Sequence, residues 1–191
     1  MLVRGIMRAV GLLCVALLGL SQQVSVAEDG CEKFAWPLAR ERGWFAAPEK
    51  PTFSSGDSIS AFPGGAFTLK LQAAGEGSFA LPPERKSRAE QSFSGMVRLP
   101  APDPAGIYEV TFSHDAWIDM VQDGRYARSV GATGRNDCPG LRKSVRFELD
   151  PTPLVLQLSG VPTDAIVVAI TPRNANQTTY PNLRLSLNAR F

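Results

Sequence analysis

Gly106-Ile107-Tyr108-Glu109-Val110-Thr111-Phe112, then Ala116-Trp117-Ile118-Asp119-Met120-Val121, then Asp123-Gly124: these residues decide the fold. Tyr108, Val110 and Phe112 alternate with Glu109 and Thr111. That period of two sends one face of a strand into a core and the other away from it. A second apolar run follows almost at once. Asp123-Gly124 supplies the positive φ angles of a type I′ turn, so a hairpin is expected there, with residues 125–130 as its return strand.

The same pattern extends outward along the chain. Phe67, Leu69 and Leu71 alternate with polar residues, and so do Val145, Phe147 and Leu149. Residues 93–99 read as a strand closed by a proline-rich stretch, and residues 79–81 as a shorter one. Residues 154–158 and 166–170 are nearly all apolar, as central strands covered on both faces should be. Residues 82–91 and 131–140 read as loops, the second holding Cys138. The last segment, with Leu183, Leu185, Leu187, Ala189 and Phe191, alternates strictly and is expected to pack onto the sheets. Roughly eight to ten short strands and one helix imply an all-β, antiparallel β-sandwich of jelly-roll-like type with a short N-terminal helix.

That helix is expected within residues 31–47. Pro37 suits a first helical turn, where its missing N–H costs nothing. Phe34, Leu38 and Phe45 can share one stripe, with Arg40, Glu41 and Arg42 facing out. Residues 48–65, rich in Pro, Ser and Gly, read as a loop.

The beginning of the 191-residue chain has a different logic. Arg4 and Arg8 precede an uncharged apolar stretch over residues 9–20, and Ser25-Val26-Ala27 follows. This is the order of a secretory signal peptide. The expected organisation is residues 1–27 as signal, 28–65 as helical segment and loop, and 66–191 as sandwich. Without Arg4 and Arg8 the basic and acidic residues are equal in number, so no net charge draws the chain to nucleic acid. No later apolar run is long enough to span a bilayer, so no transmembrane segment is expected after cleavage. Cys14 leaves with the signal. Cys31 and Cys138 remain as a pair in an oxidising compartment, periplasmic or extracellular, with no metal-ligand spacing competing for them, and are expected to form a disulfide.

Candidate chemistry is sparse. His114, the one histidine, lies beside Asp115 and near Asp119, but a metal site needs three converging ligands, so no metal and no cofactor are expected. No nucleophile elbow is present, and Ser129, Ser144 and Ser159 have no distinguishing context. Trp36, Trp44 and Trp117 have apolar neighbours that suit packing as well as sugar stacking. The strongest candidate is an arginine-rich surface of Arg125, Tyr126, Arg128, Arg135, Arg142, Lys143 and Arg146, able to clamp an anionic glycan, a phosphate or a partner's carboxylates. The expected function is therefore a non-catalytic binding or interaction module whose partner is an envelope component, a glycan or a protein. The alternative is an envelope glycan hydrolase whose acidic residues converge only in the fold.

Three stretches carry a resemblance: residues 31–38 (CEKFAWPL), residues 116–119 (AWID), and residues 138–149 (CPGLRKSVRFEL). Together they resemble an uncharacterised group of exported proteins from alphaproteobacteria, over about residues 31–172. The resemblance implies export and no established activity. The strand pattern from residue 106 to about 156 is also similar to jelly-roll domains of the galactose-binding and bacterial pre-peptidase types, which implies a sandwich but no ligand.

Cleavage is expected after Ala27. Mass spectrometry of the exported protein should place its N-terminus at Glu28; a mature form that keeps Arg4 or Arg8 refutes the signal peptide.

Overall fold

Eleven strands build two facing sheets. The computed structural model describes residues 30–85 and 91–173. The signal peptide expected over residues 1–27 and the strand expected over residues 183–191 lie outside the described residues. The order is β1 (Thr52–Ser54), β2 (Phe67–Lys70), β3 (Gln72–Ala73), β4 (Phe93–Leu99), β5 (Gly106–Phe112), β6 (Trp117–Gln122), β7 (Arg125–Tyr126), β8 (Ser129–Gly134), β9 (Lys143–Leu149), β10 (Leu154–Val161) and β11 (Ala165–Pro172). One sheet runs β1-β2-β11-β5-β9-β8 and the other β3-β4-β10-β6-β7. All pairs are antiparallel except β1 with β2. The chain is thus a β-sandwich with one short helix, α1 (Ala39–Ala46), near its N-terminal end.

Strand periodicity explains the core. Phe67 and Leu69, Val110 and Phe112, Val145 and Phe147, and Ile166, Val168 and Ile170 point from one sheet. Val97 and Leu99, Ile118 and Met120, and Leu154, Leu156 and Leu158 point from the other, and all are buried in one cluster. β10 and β11, the two most apolar strands, sit inside their sheets, each paired on both sides.

The hairpin forms at Asp123-Gly124, with φ of 48° and 70°. Its return strand differs from expectation. Arg125 and Tyr126 pair with β6, and contact with it ends at Ala127, whose N–H donates to the Met120 carbonyl (2.7 Å). The chain then crosses to the other sheet, and β8 pairs with β9 over a stretch expected as loop. Residues 48–65 likewise contribute β1.

Residues 79–81 form no strand. The Gln157 side chain takes the place of a neighbouring backbone. Its Oε1 accepts from the N–H groups of Ala80 (3.2 Å) and Leu81 (3.4 Å), and its Nε2 donates to the Leu81 carbonyl (2.9 Å). This stretch thereby covers the outer face of the five-stranded sheet. Gly77 is pressed so closely on Ser94 that a Cβ there would lie 2.6 Å from its Oγ.

The outer face of the six-stranded sheet is covered by the N-terminal segment. Phe34 and Leu38 join Leu141 and the disulfide Cys31–Cys138 in a second apolar cluster, with Trp36 and Phe45 against it. Glu41, expected to face outward, is 2% exposed. Arg40 (3.1 Å) and the Thr171 hydroxyl (3.3 Å) donate to its Oε1, which is why burial is tolerated.

The bridge joins residues 107 apart in sequence. On the chain-entropy account, closing a loop of that size contributes about 4–5 kcal/mol. Reduction, or Cys31→Ser, should lower the melting temperature markedly and expose the 30–50 segment to protease before the sandwich. Two free thiols in the unreduced, denatured exported protein, or an unchanged melting temperature on reduction, would contradict this.

Candidate functional site

The seven residues expected as one basic surface fall into three groups along β9. Arg125, Tyr126 and Arg128 gather at one end of the sandwich, beside Glu148 and Asp150. Arg135 and Arg142 lie at the opposite end, near the start of β9, with Arg142 Nη1 donating to the Arg135 carbonyl. Lys143 sits at that end too, over the rings of Phe112 (6.0 Å) and Trp117 (5.8 Å). Burial there pushes its ammonium pKa down, against the pull of Asp115. Arg146 lies apart from both, on the covered face of the six-stranded sheet.

The first group lines a cleft. Gln122, Arg125, Tyr126, Ala127, Arg128, Glu148 and Asp150 surround an open volume of about 250 Å³. It lies where the chain passes between sheets twice, from β7 to β8 and from β9 to β10. The Gln122 amide makes its floor rigid: Oε1 accepts from Asp150 N–H (3.0 Å), and Nε2 donates to the carbonyls of Asp150 (2.8 Å) and Thr152 (2.7 Å). Arg128 forks onto Glu148, with Nε 3.0 Å from Oε2. Tyr126 donates its hydroxyl to the Pro82 carbonyl, so its ring stands fixed at the cleft wall. The Arg125 guanidinium and the Asp150 carboxylate line the same cleft without an ion-pair partner among the described residues.

The other end is internally neutralised. Arg135 is bidentate on Asp137 (2.8 and 2.6 Å), which raises the arginine pKa and lowers that of the carboxyl. Arg142 pairs with Asp115 (3.3 Å). His114, at the bend between β5 and β6, bonds through Nδ1 to the Ser113 hydroxyl (2.8 Å). Asp119 is turned away and buried, accepting from Trp117 Nε1 (2.6 Å) and Gln157 Nε2 (3.2 Å). The histidine and these carboxylates therefore do not share a cleft. Among the described residues no three His, Cys, Asp or Glu side chains are placed to hold a metal ion.

A buried polar layer escaped the sequence reading. Glu109, an apparent outward position of β5, is 0% exposed. Its Oε2 accepts from Arg146 Nε (3.0 Å) and faces Arg173 Nε (3.7 Å), while its Oε1 has no partner. The Trp36 ring lies 3.8 Å over the Arg146 guanidinium and donates Nε1–H to Ser144 Oγ at 3.2 Å. Without knowledge of what covers the sheet, alternation alone marks such a residue as solvent-facing. The layer is closed to substrate, and its carboxylates serve the fold.

Comparison with protein-family models, with characterised proteins and with solved structures finds no match to this chain.

Burial raises the Glu109 carboxyl pKa above its ordinary value; the Arg146 hydrogen bond and the charges of Arg173 and Arg146 oppose the rise, and the Glu41 charge adds to it. Between the ordinary carboxyl pKa of about 4.3 and the raised folded value, the folded state binds more protons than the unfolded one, so this group's contribution to stability falls as pH rises. Glu109→Gln removes that dependence. Urea midpoints of wild type and variant should therefore shift in favour of the variant as pH rises from about 4 to neutrality. A constant difference across that range would show that Glu109 titrates normally.

Proposed function

We propose that this chain is an exported binding module of the cell envelope, periplasmic or secreted, that holds an acidic glycan in the cleft between β7 and β9 without transforming it. A β-sandwich closed by a disulfide is consistent with an extracytoplasmic protein. The export reading rests on the N-terminal sequence and on the resemblance to exported proteins.

One observation carries the ligand assignment: the cleft joins a guanidinium, Arg125, and a carboxylate, Asp150, neither with an ion-pair partner among the described residues, on a floor fixed by Gln122. Arg125 supplies a fork that matches a carboxylate. Asp150 and Glu148 accept hydrogen bonds from hydroxyls. A sugar acid offers both groups on one ring. The small open cleft suits one residue of a polymer lying across the surface better than an enclosed small molecule.

The hydrolase alternative would have to draw on other carboxylates than the aspartates nearest His114: Asp119 is buried and Asp115 pairs with Arg142. Glu148 and Asp150, which share the cleft, are the pair it would use.

Calorimetric titration of the mature protein with a uronic acid polymer and with a neutral glucan tests the proposal. Binding should be confined to the acidic polymer. Arg125→Ala should weaken it about tenfold or more, the scale of one charge-assisted hydrogen bond. Equal binding of both polymers, no binding, or no effect of Arg125→Ala would overturn the reading; release of reducing ends would favour the hydrolase.

A further inference from the structure

Arg135 and Arg142 have carboxylate partners at the end of the sandwich opposite the cleft, but two other cations there do not. Lys143 and Arg85 both reach the indole of Trp117, with Lys143 Nζ 5.8 Å and the Arg85 guanidinium carbon 5.5 Å from the ring centre. Neither has an ion-pair partner among the described residues. We propose that Arg85 and Lys143 form an anion site at Trp117 that takes a phosphate monoester, carried on a soluble molecule or on a lipid headgroup.

The place of Lys143 in its strand is the first argument. β9 alternates, and Val145, Phe147 and Leu149 belong to the core. Lys143 shares their parity and stands opposite Phe112, a core residue of β5. Residues directly opposite in an antiparallel pair share a face. The lysine therefore takes an inward position at the mouth of the inter-sheet core, where an apolar side chain would carry no desolvation cost. Its stem can lie along apolar surface while its head reaches outward. Lys143 is nevertheless half-buried, and its head ends over Trp117 and Phe112 rather than on a carboxylate. Burial is the chief reason its pKa is lowered; Asp115 opposes the effect, and the Arg142 and Arg85 charges add to it. A partly desolvated ammonium among like charges is stabilised by an anion that joins it.

The local charges set the class of anion. Asp115 acts on Lys143, but it is already held by Arg142 at 3.3 Å. Asp119 accepts from Trp117 Nε1 and turns its other oxygen to Glu84 N–H and Gln157 Nε2. Arg142 and Asp115 cancel, which leaves Arg85 and Lys143 as two positive charges to be met. A phosphate monoester carries a charge of about −1.5 to −2 at pH 7, whereas a sugar carboxylate carries one. Arginine offers a planar fork and lysine a point charge, a combination suited to the several oxygens of a phosphoryl group. The indole holds both cations by cation–π attraction, so less side-chain freedom is lost on binding. Arg85 is exposed, which leaves the site open to solvent.

This site is separate from the cleft. β6 begins at Trp117 and ends at Gln122, the cleft floor, so the two sites lie at opposite ends of one strand.

The test uses the mature full chain, isotope-labelled, at fixed ionic strength, with glycerol phosphate and glucuronate as probes. Glycerol phosphate should bind saturably, about tenfold or more tighter than glucuronate, and should shift the side-chain resonances of Trp117 and Lys143. Arg85→Gln alters an exposed side chain, and Lys143→Met keeps the stem over both rings. Each should retain the wild-type melting temperature or exceed it, and each should weaken glycerol phosphate about tenfold. Absence of saturable binding, equal binding of glucuronate, or undiminished binding by folded Arg85→Gln or Lys143→Met would overturn the proposal. Phosphatidylcholine vesicles doped with phosphatidic acid carry the same monoester on a lipid. Sedimentation with them that Arg85→Gln abolishes assigns the lipid source; binding of glycerol phosphate without such sedimentation assigns the soluble one. Arg125→Ala should leave glycerol phosphate binding unchanged, so failure here is distinct from failure of the glycan reading.

Discussion

Closure of two apolar faces on each other is the constraint that the rest of this structure answers. Val110, Phe112, Val168 and Ile170 from one sheet meet Ile118, Met120, Leu156 and Leu158 from the other. Burial of one such side chain contributes on the order of 1.5–3 kcal/mol, so no single contact outweighs the set. The strand period of two fixes what happens on the far sides. Strands β5, β6, β9, β10 and β11 send Glu109, Thr111, Asp119, Ser144, Gln157 and Thr171 outward. These outward residues are also buried, and a buried polar group without a partner costs about 1–3 kcal/mol. The coverings therefore bring their own partners.

Two segments without regular strand structure meet that demand in different ways. Residues 78–85 offer backbone: Gln157 bonds to Ala80 and Leu81, and Asp119 accepts from Glu84 N–H at 3.4 Å. The N-terminal segment offers side chains: Trp36 to Ser144 and Arg146, Glu41 to Thr171. The first cover is held by the chain on both sides of it. Cleavage after Ala27 would leave the second near a chain end, where segments fray unless tied down. The disulfide to Cys138 and the bond from Gly30 N–H to the Asp137 carbonyl (2.8 Å) supply the tie. One account thus explains why the bridge joins these two regions and why a helix as short as α1 persists against β11.

Much of the fold was legible because its signals are local. Alternation at Tyr108, Val110 and Phe112, continuous apolarity over residues 154–158 and 166–170, and the Asp123-Gly124 turn each act within a few residues. Paired cysteines needed only a compartment. What escaped depends on neighbours distant in sequence. Residues 79–81 have strand-like composition, but their pairing partner is a side chain on β10. Glu41 and Glu109 look solvent-facing by period and are buried by segments that period cannot place. The arginine surface was legible in part. Arg125, Tyr126 and Arg128 do come together, but Glu148 and Asp150 complete their cleft through the pairing of β8 with β9. Arg135 and Arg142 stay together, but Arg146 is carried away from them along an extended chain rising about 3.4 Å per residue.

The return strand after the hairpin shows how a local signal and a tertiary constraint divide the outcome. Asp123-Gly124 turns the chain back on β6, yet bonding to β6 ends with Ala127 N–H on the Met120 carbonyl, because Arg128 is already claimed by β9. Glu148 N–H donates to the Arg128 carbonyl at 3.0 Å, and Ser129 sits opposite Phe147. The crossing takes only Ala127 and Arg128. A change of sheet that abrupt opens the corner between the layers, which is the cleft, and leaves β8 outermost in the sheet it joins. The cleft is thus a consequence of those two residues, and a loop insertion there would alter it while leaving the core strands intact.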